Sequence, residues 1–226
     1  MKKQILIIHA ASASGKTTWI KRYDRAEIPF VGLHQDVTDD LPEDLTFPCY
    51  LAGKTYLLDG DSLVQAATRW PTYGEWFKAS HPSSKWIAYA NALSIMTMLD
   101  RFKIGNGFSI CVVFNGNMSM FNQVEHDYGE HWREAMEFTH LLVEIPELLH
   151  RGYVEERINN DNDAARIADG GSVHGFPANW RDAHNNRVRS RRQFMSIWDP
   201  TGSLIAGAFD EALDMFIKAM FVNDNI

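Results

Sequence analysis

Lys16 and Thr17 carry chemistry only in company. A nucleotide's phosphate chain is held by backbone N–H groups that all point inward, by a lysine that reaches the outer phosphates and by a hydroxyl that ligates Mg2+. Residues 11–18, ASASGKTT, supply all three. The amides would come from Ala11, Ser12, Ala13, Ser14, Gly15 and Lys16; Lys16 would bridge the β and γ oxygens, Thr17 would take Mg2+, and Thr18 follows in the same turn. The first glycine of GxxxxGK[ST] falls at Ala10, one methyl group more than the pattern asks for where the chain turns sharply. The bland alternative is a small-residue turn with an exposed lysine. It leaves unexplained the apolar, β-branched run QILIIH at 4–9, which reads as a strand feeding the loop.

A second set of candidates is acidic. The short apolar run at 55–58 ends in Asp59, Gly60 and Asp61, and a strand ending in carboxylates places them at the sheet edge where α/β ligands bind. Asp59 suits Mg2+ coordination, and Asp59 or Asp61 suits deprotonation of an acceptor hydroxyl; the competing reading is an aspartate that only caps the next helix. Asp36 is a rival for the acceptor-side role. The basic candidates are Arg151 and Arg157, on a helix opened by Pro146, and the run holding Arg181, Arg187, Arg189, Arg191 and Arg192. At helical spacing Arg187 and Arg191 share one face and Arg189 and Arg192 another, so some can meet phosphates; a solvated helix face is the alternative. Trp70, Tyr73, Trp76, Phe77 and Trp86 form either a stacking platform for a base or a roof over the core. His126 and His131 do not share a helical face and read as surface histidines.

The elements that must position these residues follow from periodicity. With 226 residues, 45% of them hydrophobic, the chain can bury one sizeable core, and one domain over 1–226 is expected. A net charge of −7 argues against a surface that coats polyanions as a whole. Cys49 and Cys111 read as buried thiols in a reducing cytoplasm, and no stretch reads as a signal peptide or membrane span. Strands are expected at 4–9, 30–33, 55–58, 109–114 and 140–145. Helices are expected at 17–25, 62–70, 84–102, 118–138, from 146 onward, and at 180–194 and 203–222. The acidic stretch 36–48 reads as an exposed connection, and the glycine-rich stretch after residue 160 as a lid that closes over a nucleotide. Strands alternating with helices give an α/β chain, a three-layer αβα sandwich with a parallel, five-stranded sheet covered on both faces.

The run SGKTTW at 14–19 resembles the phosphate loop of polynucleotide kinases, and YLLDGDSL at 56–63 is similar to the LDGD segment of adenylylsulfate kinases, whose first aspartate lies near the acceptor hydroxyl. VEIPELLHRGYVEERI at 143–158 resembles the last strand and lid helix of the same branch of P-loop kinases, where arginines contact nucleotide phosphates. The DGD followed by WP and further tryptophans also resembles phage-encoded kinases that phosphorylate hydroxymethyluracil in DNA. The resemblance implies a P-loop NTPase fold with a helical lid at about 150–195, and ATP and Mg2+ as cofactors. It implies transfer of the γ-phosphate to a hydroxyl of a nucleotide-type acceptor, either a hydroxymethylpyrimidine in DNA or a nucleoside monophosphate. Arg151, Arg157 or an arginine of 187–192 would offset the charge of the moving phosphoryl group. A small-metabolite kinase of the gluconate or adenylylsulfate type, and a P-loop nucleotide-binding module that transfers nothing, are the alternatives.

Overall fold

A computed structural model describes residues 2–31, 45–68, 84–115, 118–160 and 179–223. The chain is α/β: a mostly parallel sheet of seven strands, flanked by helices, in the order β2-β3-β4-β5-β1-β6-β7. Strand β1 (Lys3–Ala10) is buried at every residue from Ile5 onward, as expected of a strand covered on both faces. β4 (Thr55–Asp59) pairs in parallel with β5 (Ser109–Phe114), and β6 (Met136–Val143) with β7 (Ile205–Ala206).

The expected five all-parallel strands become seven in a mixed sheet: β3 and the two-residue β7 were not expected, and the strand expected at 30–33 lies earlier, as β2. β2 (Asp24–Phe30) and β3 (Leu45–Ala52) pair antiparallel with each other, and β3 pairs antiparallel with β4. Both are half-buried: Ile28 and Phe30, then Phe47 and Cys49, point inward, with Glu27, Pro29, Thr46 and Pro48 between them exposed. Pro29 is tolerated because β2 is the edge strand. Leu45–Ala52 thus takes the end of the stretch expected to be a connection.

The chain forms two compact units. The first comprises Met1–Ile7 and Ile20–Thr139. Its core joins Ile5, Ile28, Leu58, Met96, Phe102 and Val112, and its helices are α2 (Gly60–Thr68), α3 (Ser84–Arg101) and α4 (Met118–Arg133). The helix expected over 118–138 stops at Arg133, where the Ala135 amide bonds the Trp132 carbonyl at 3.0 Å and turns the chain into β6. The second unit comprises Ile8–Trp19 and His140–Ile226. It holds α5 (Glu147–Ile158), α6 (Trp180–Ile197) and α7 (Phe209–Asn223), whose Phe209, Ala212, Leu213 and Phe216 form a buried i, i+3, i+4, i+7 stripe. The helix expected from 203 begins at Phe209, because residues just before it are used by β7.

Helix α1 (Lys16–Ile20) is five residues long and does not reach residue 25. The Tyr23 amide bonds the Ile20 carbonyl at 3.2 Å, and strand β2 starts at Asp24. Asp36, the aromatic residues 70–77 and the glycine-rich part of the expected lid, 161–178, lie outside the described residues.

Candidate functional site

β1 delivers the chain at Ala10 into a loop that doubles back on itself. The Ser14 amide bonds the Ala11 carbonyl at 3.3 Å, and the Lys16 ammonium reaches back to the same oxygen at 3.1 Å. Two residues are left-handed, Ala13 at φ +57° and Gly15 at φ +85°. Left-handed residues in a tight loop turn successive N–H groups toward one side, the arrangement that binds anions. For Gly15 this conformation is free of strain; for Ala13 it is not. The Trp19 amide closes the first turn of α1 on the Gly15 carbonyl at 2.8 Å. Thr17 and Thr18 are exposed on that turn, whereas Ser14 is buried.

Two elements of the same unit border the loop. From α5, the His150 Nε2 lies 2.8 Å from the Ser12 carbonyl oxygen, and the Tyr153 ring stands 3.6 Å from where a Cβ on Gly15 would project. A carbonyl only accepts, so Nε2 carries the proton in that contact. Burial lowers the His150 pKa; the Ser12 hydrogen bond works against this, and the nearby Arg187 and Lys16 cations add to the lowering. Arg187, on α6, is therefore within electrostatic reach of the same imidazole as Lys16.

Arg187 and Arg191 share a face, as their spacing predicts, and both turn to Glu144. Arg191 donates to one carboxylate oxygen at 2.8 Å, and Arg187 lies 3.8 Å from the other. Glu144 is 9% exposed and follows directly after β6. Among the described residues, Arg187 Nη1 and Ser14 Oγ are buried and have no hydrogen-bond partner. Buried donors in that state call for an acceptor, and a phosphate oxygen meets the need of both. The residues present thus fit a polyphosphate.

The remaining candidates are placed differently. Arg151 is exposed and bonded at 2.7 Å to Glu155, one turn along α5. Arg157 is half-buried and lies on the helical face of His150 and Tyr153 by its spacing. In the first unit, Asp59 accepts the Asp61 amide at 3.0 Å and so caps α2, while Asp61 itself is exposed. His126 is exposed, as a surface histidine should be. No cluster of three or more His, Cys, Asp or Glu that could hold a metal occurs among the described residues. Magnesium accompanying a triphosphate needs no such cage, since phosphates and water supply most of its ligands.

Three residues here were not singled out in the sequence: Glu144, His150 and Tyr153. For the last two the signal was the i, i+3 spacing on a helix that follows a strand; Glu144 stood out only as a lone charge between Val143 and Ile145. No protein-family model and no curated protein sequence matches the chain. No helix among the described residues is long and apolar enough to cross a membrane.

Proposed function

We propose that this chain has a P-loop NTPase fold and is an ATP-dependent phosphotransferase, moving the γ-phosphate to a hydroxyl of a nucleotide-type acceptor. The observation that carries the reading is the loop at 11–16. It has two left-handed residues, Lys16 folded across it, and an unpartnered buried hydroxyl at Ser14. A turn that served only to connect β1 to α1 would need neither the lysine nor the buried hydroxyl.

In this reading the loop amides and Ser14 Oγ hold the phosphates. Lys16 leaves the Ala11 carbonyl for the β and γ oxygens, and Arg187 adds positive charge from α6. The Thr17 hydroxyl would hold Mg2+, which supplies charge neutralisation at the phosphates when bound. Phosphoryl transfer needs little beyond positioning and such electrostatic stabilisation. Asp59, with Asp61 as its alternate, is the acceptor-side carboxylate on the strength of the sequence motif. Arg151 is left out, since its guanidinium is engaged with Glu155 on the exposed side of α5.

The test is binding and turnover together. Calorimetry should detect Mg2+-dependent ATP binding by the wild type, and Lys16→Ala should weaken it at least tenfold, at an unchanged melting temperature. An ADP-release screen over nucleosides, monophosphates, hydroxymethylated DNA and sugars then identifies the acceptor. Absence of ATP binding sinks the reading, and ADP release indifferent to every acceptor reduces it to a slow hydrolase.

A further inference from the structure

We propose that His150 is a positioning residue that sets the peptide between Ser12 and Ala13, and thereby aims the Ala13 amide at the phosphates; this rests on the nucleotide reading above. The contact is geometric first. His150 Nε2–H donates to the Ser12 carbonyl at 2.8 Å from a side chain that is 1% exposed, and the ring is backed by Trp180 of α6, edge-on at 5.5 Å and 80°. In a trans peptide the C=O and the next N–H point in opposite directions. Pinning the Ser12 oxygen toward α5 therefore turns the Ala13 N–H away from α5.

Ala13 is where the loop needs that help. Its φ of +57° is a conformation that an alanine leaves when nothing holds it. The two hydrogen bonds to the Ala11 carbonyl, from Ser14 N and Lys16 Nζ, close a turn around the 12–13 peptide, and a turn closed that way accepts its central peptide in either orientation. Rotated by half a turn, that peptide would present a carbonyl oxygen where the amide belongs, and an oxygen repels phosphate. The His150 hydrogen bond to the Ser12 oxygen opposes this rotation. A histidine that merely packed α5 against the loop would need no donor at Nε2, so the two roles separate by substitution.

The experiment measures ATP and inorganic pyrophosphate affinity by calorimetry on the full chain, with a melting curve for each variant. His150→Phe keeps the ring against Trp180 and removes the donor, and both ligands should bind about tenfold more weakly, the loss expected for one hydrogen bond. His150→Gln carries an N–H at the reach of Nε2 and should bind within about threefold of wild type; His150→Asn carries its N–H at the reach of Nδ1 and should resemble Phe. Ala13→Gly removes the cost of the left-handed residue, so in the Phe background it should recover part of the loss, while changing wild-type affinity less. If the Phe variant does not fold, the Gln and Asn pair decides alone. Equal affinities for Gln and Asn, wild-type binding by Phe, or an Ala13→Gly effect identical in both backgrounds overturns the proposal while leaving the nucleotide reading standing. A wild type that binds neither ligand overturns both.

Discussion

At the scale of single residues, capping and chemistry can be told apart at Asp59. Its Oδ1 accepts the Asp61 amide at 3.0 Å, a helix-capping contact that asparagine makes equally well. Asp59→Asn should therefore leave the melting temperature unchanged. If the carboxylate also takes the acceptor proton, turnover falls by about two to four orders of magnitude; turnover at the wild-type rate would restrict Asp59 to its cap. His9 gives a prediction of opposite kind, on stability. It sits in β1, its Nε2 3.0 Å from Nδ1 of His140, and both rings stack on Trp198 at 4.9 and 4.2 Å. Burial first, and the neighbouring His140 second, hold the His9 pKa well below the ordinary histidine range. The unfolded chain therefore takes up this proton at a pH where the folded chain refuses it. Stability should fall as pH drops below about 6.5, by up to about 1.4 kcal/mol per pH unit, until the folded state can bind the proton too. His9→Gln keeps a polar partner for His140 and cannot titrate, so urea melts between pH 7.5 and 5.5 should show a shallower decline. An unchanged slope would assign the pH dependence elsewhere. Lys16 and Thr17 stand out as a candidate phosphate-binding pair in the sequence because that reading is set by their neighbours in sequence. Glu144 and His150 were not, because what each does depends on a partner, Arg191 or Ser12, that only the fold brings near.

Elements were legible to the extent that one periodicity governed them. β1 and β5 are unbroken apolar runs and read plainly, whereas β2 and β3 alternate inward apolar residues with polar residues and prolines, so that the start of β2 was read as helix and the start of β3 as a connection. α1 was overextended because its end is set by the Tyr23 turn and the sheet pairing of Asp24 with Leu51, neither of which a helical pattern reveals. The DGD motif shows the opposite lesson, a motif read for the chemistry of its aspartates whose glycine packing demands. A Cβ on Gly60 would stand 2.6 Å from Cδ2 of Phe114 and 3.0 Å from its Cβ. The glycine is needed where the start of α2 meets the end of β5, whatever the flanking aspartates do. Gly60→Ala should cost about 1–3 kcal/mol, as overpacking does. Adding Phe114→Leu should recover part of that cost, because the two substitutions act on one contact. Thermal or denaturant melts of the four chains measure it. A single-variant cost below about 0.5 kcal/mol would mean that the Phe114 ring moves aside freely.

For the whole molecule, the acceptor of the proposed transfer is the question on which charge bears. With 22 basic against 29 acidic residues, the chain as a whole repels DNA. A DNA acceptor would have to be held by local cations, and α6 is where they concentrate. Arg187 and Arg191 on that helix are engaged with Glu144, while Arg181, Arg189 and Arg192 are exposed. If those three contact DNA phosphates, counterion release makes binding fall with a log–log slope of about −0.9 per contact, so raising salt from about 50 to 200 mM should weaken it about fortyfold. A nucleoside monophosphate, without a condensed counterion atmosphere, should lose far less over the same range. The KM for hydroxymethylated duplex is therefore expected to climb steeply with salt in the wild type, and to climb much less in a chain with Arg181, Arg189 and Arg192 all replaced by glutamine. The KM for ATP, which the proposed function assigns to Lys16 and Arg187, should stay close to wild type in that variant. A duplex KM indifferent to salt, or equally salt-dependent without the three arginines, would remove α6 as a DNA-binding face and leave the free nucleotide as the acceptor to pursue.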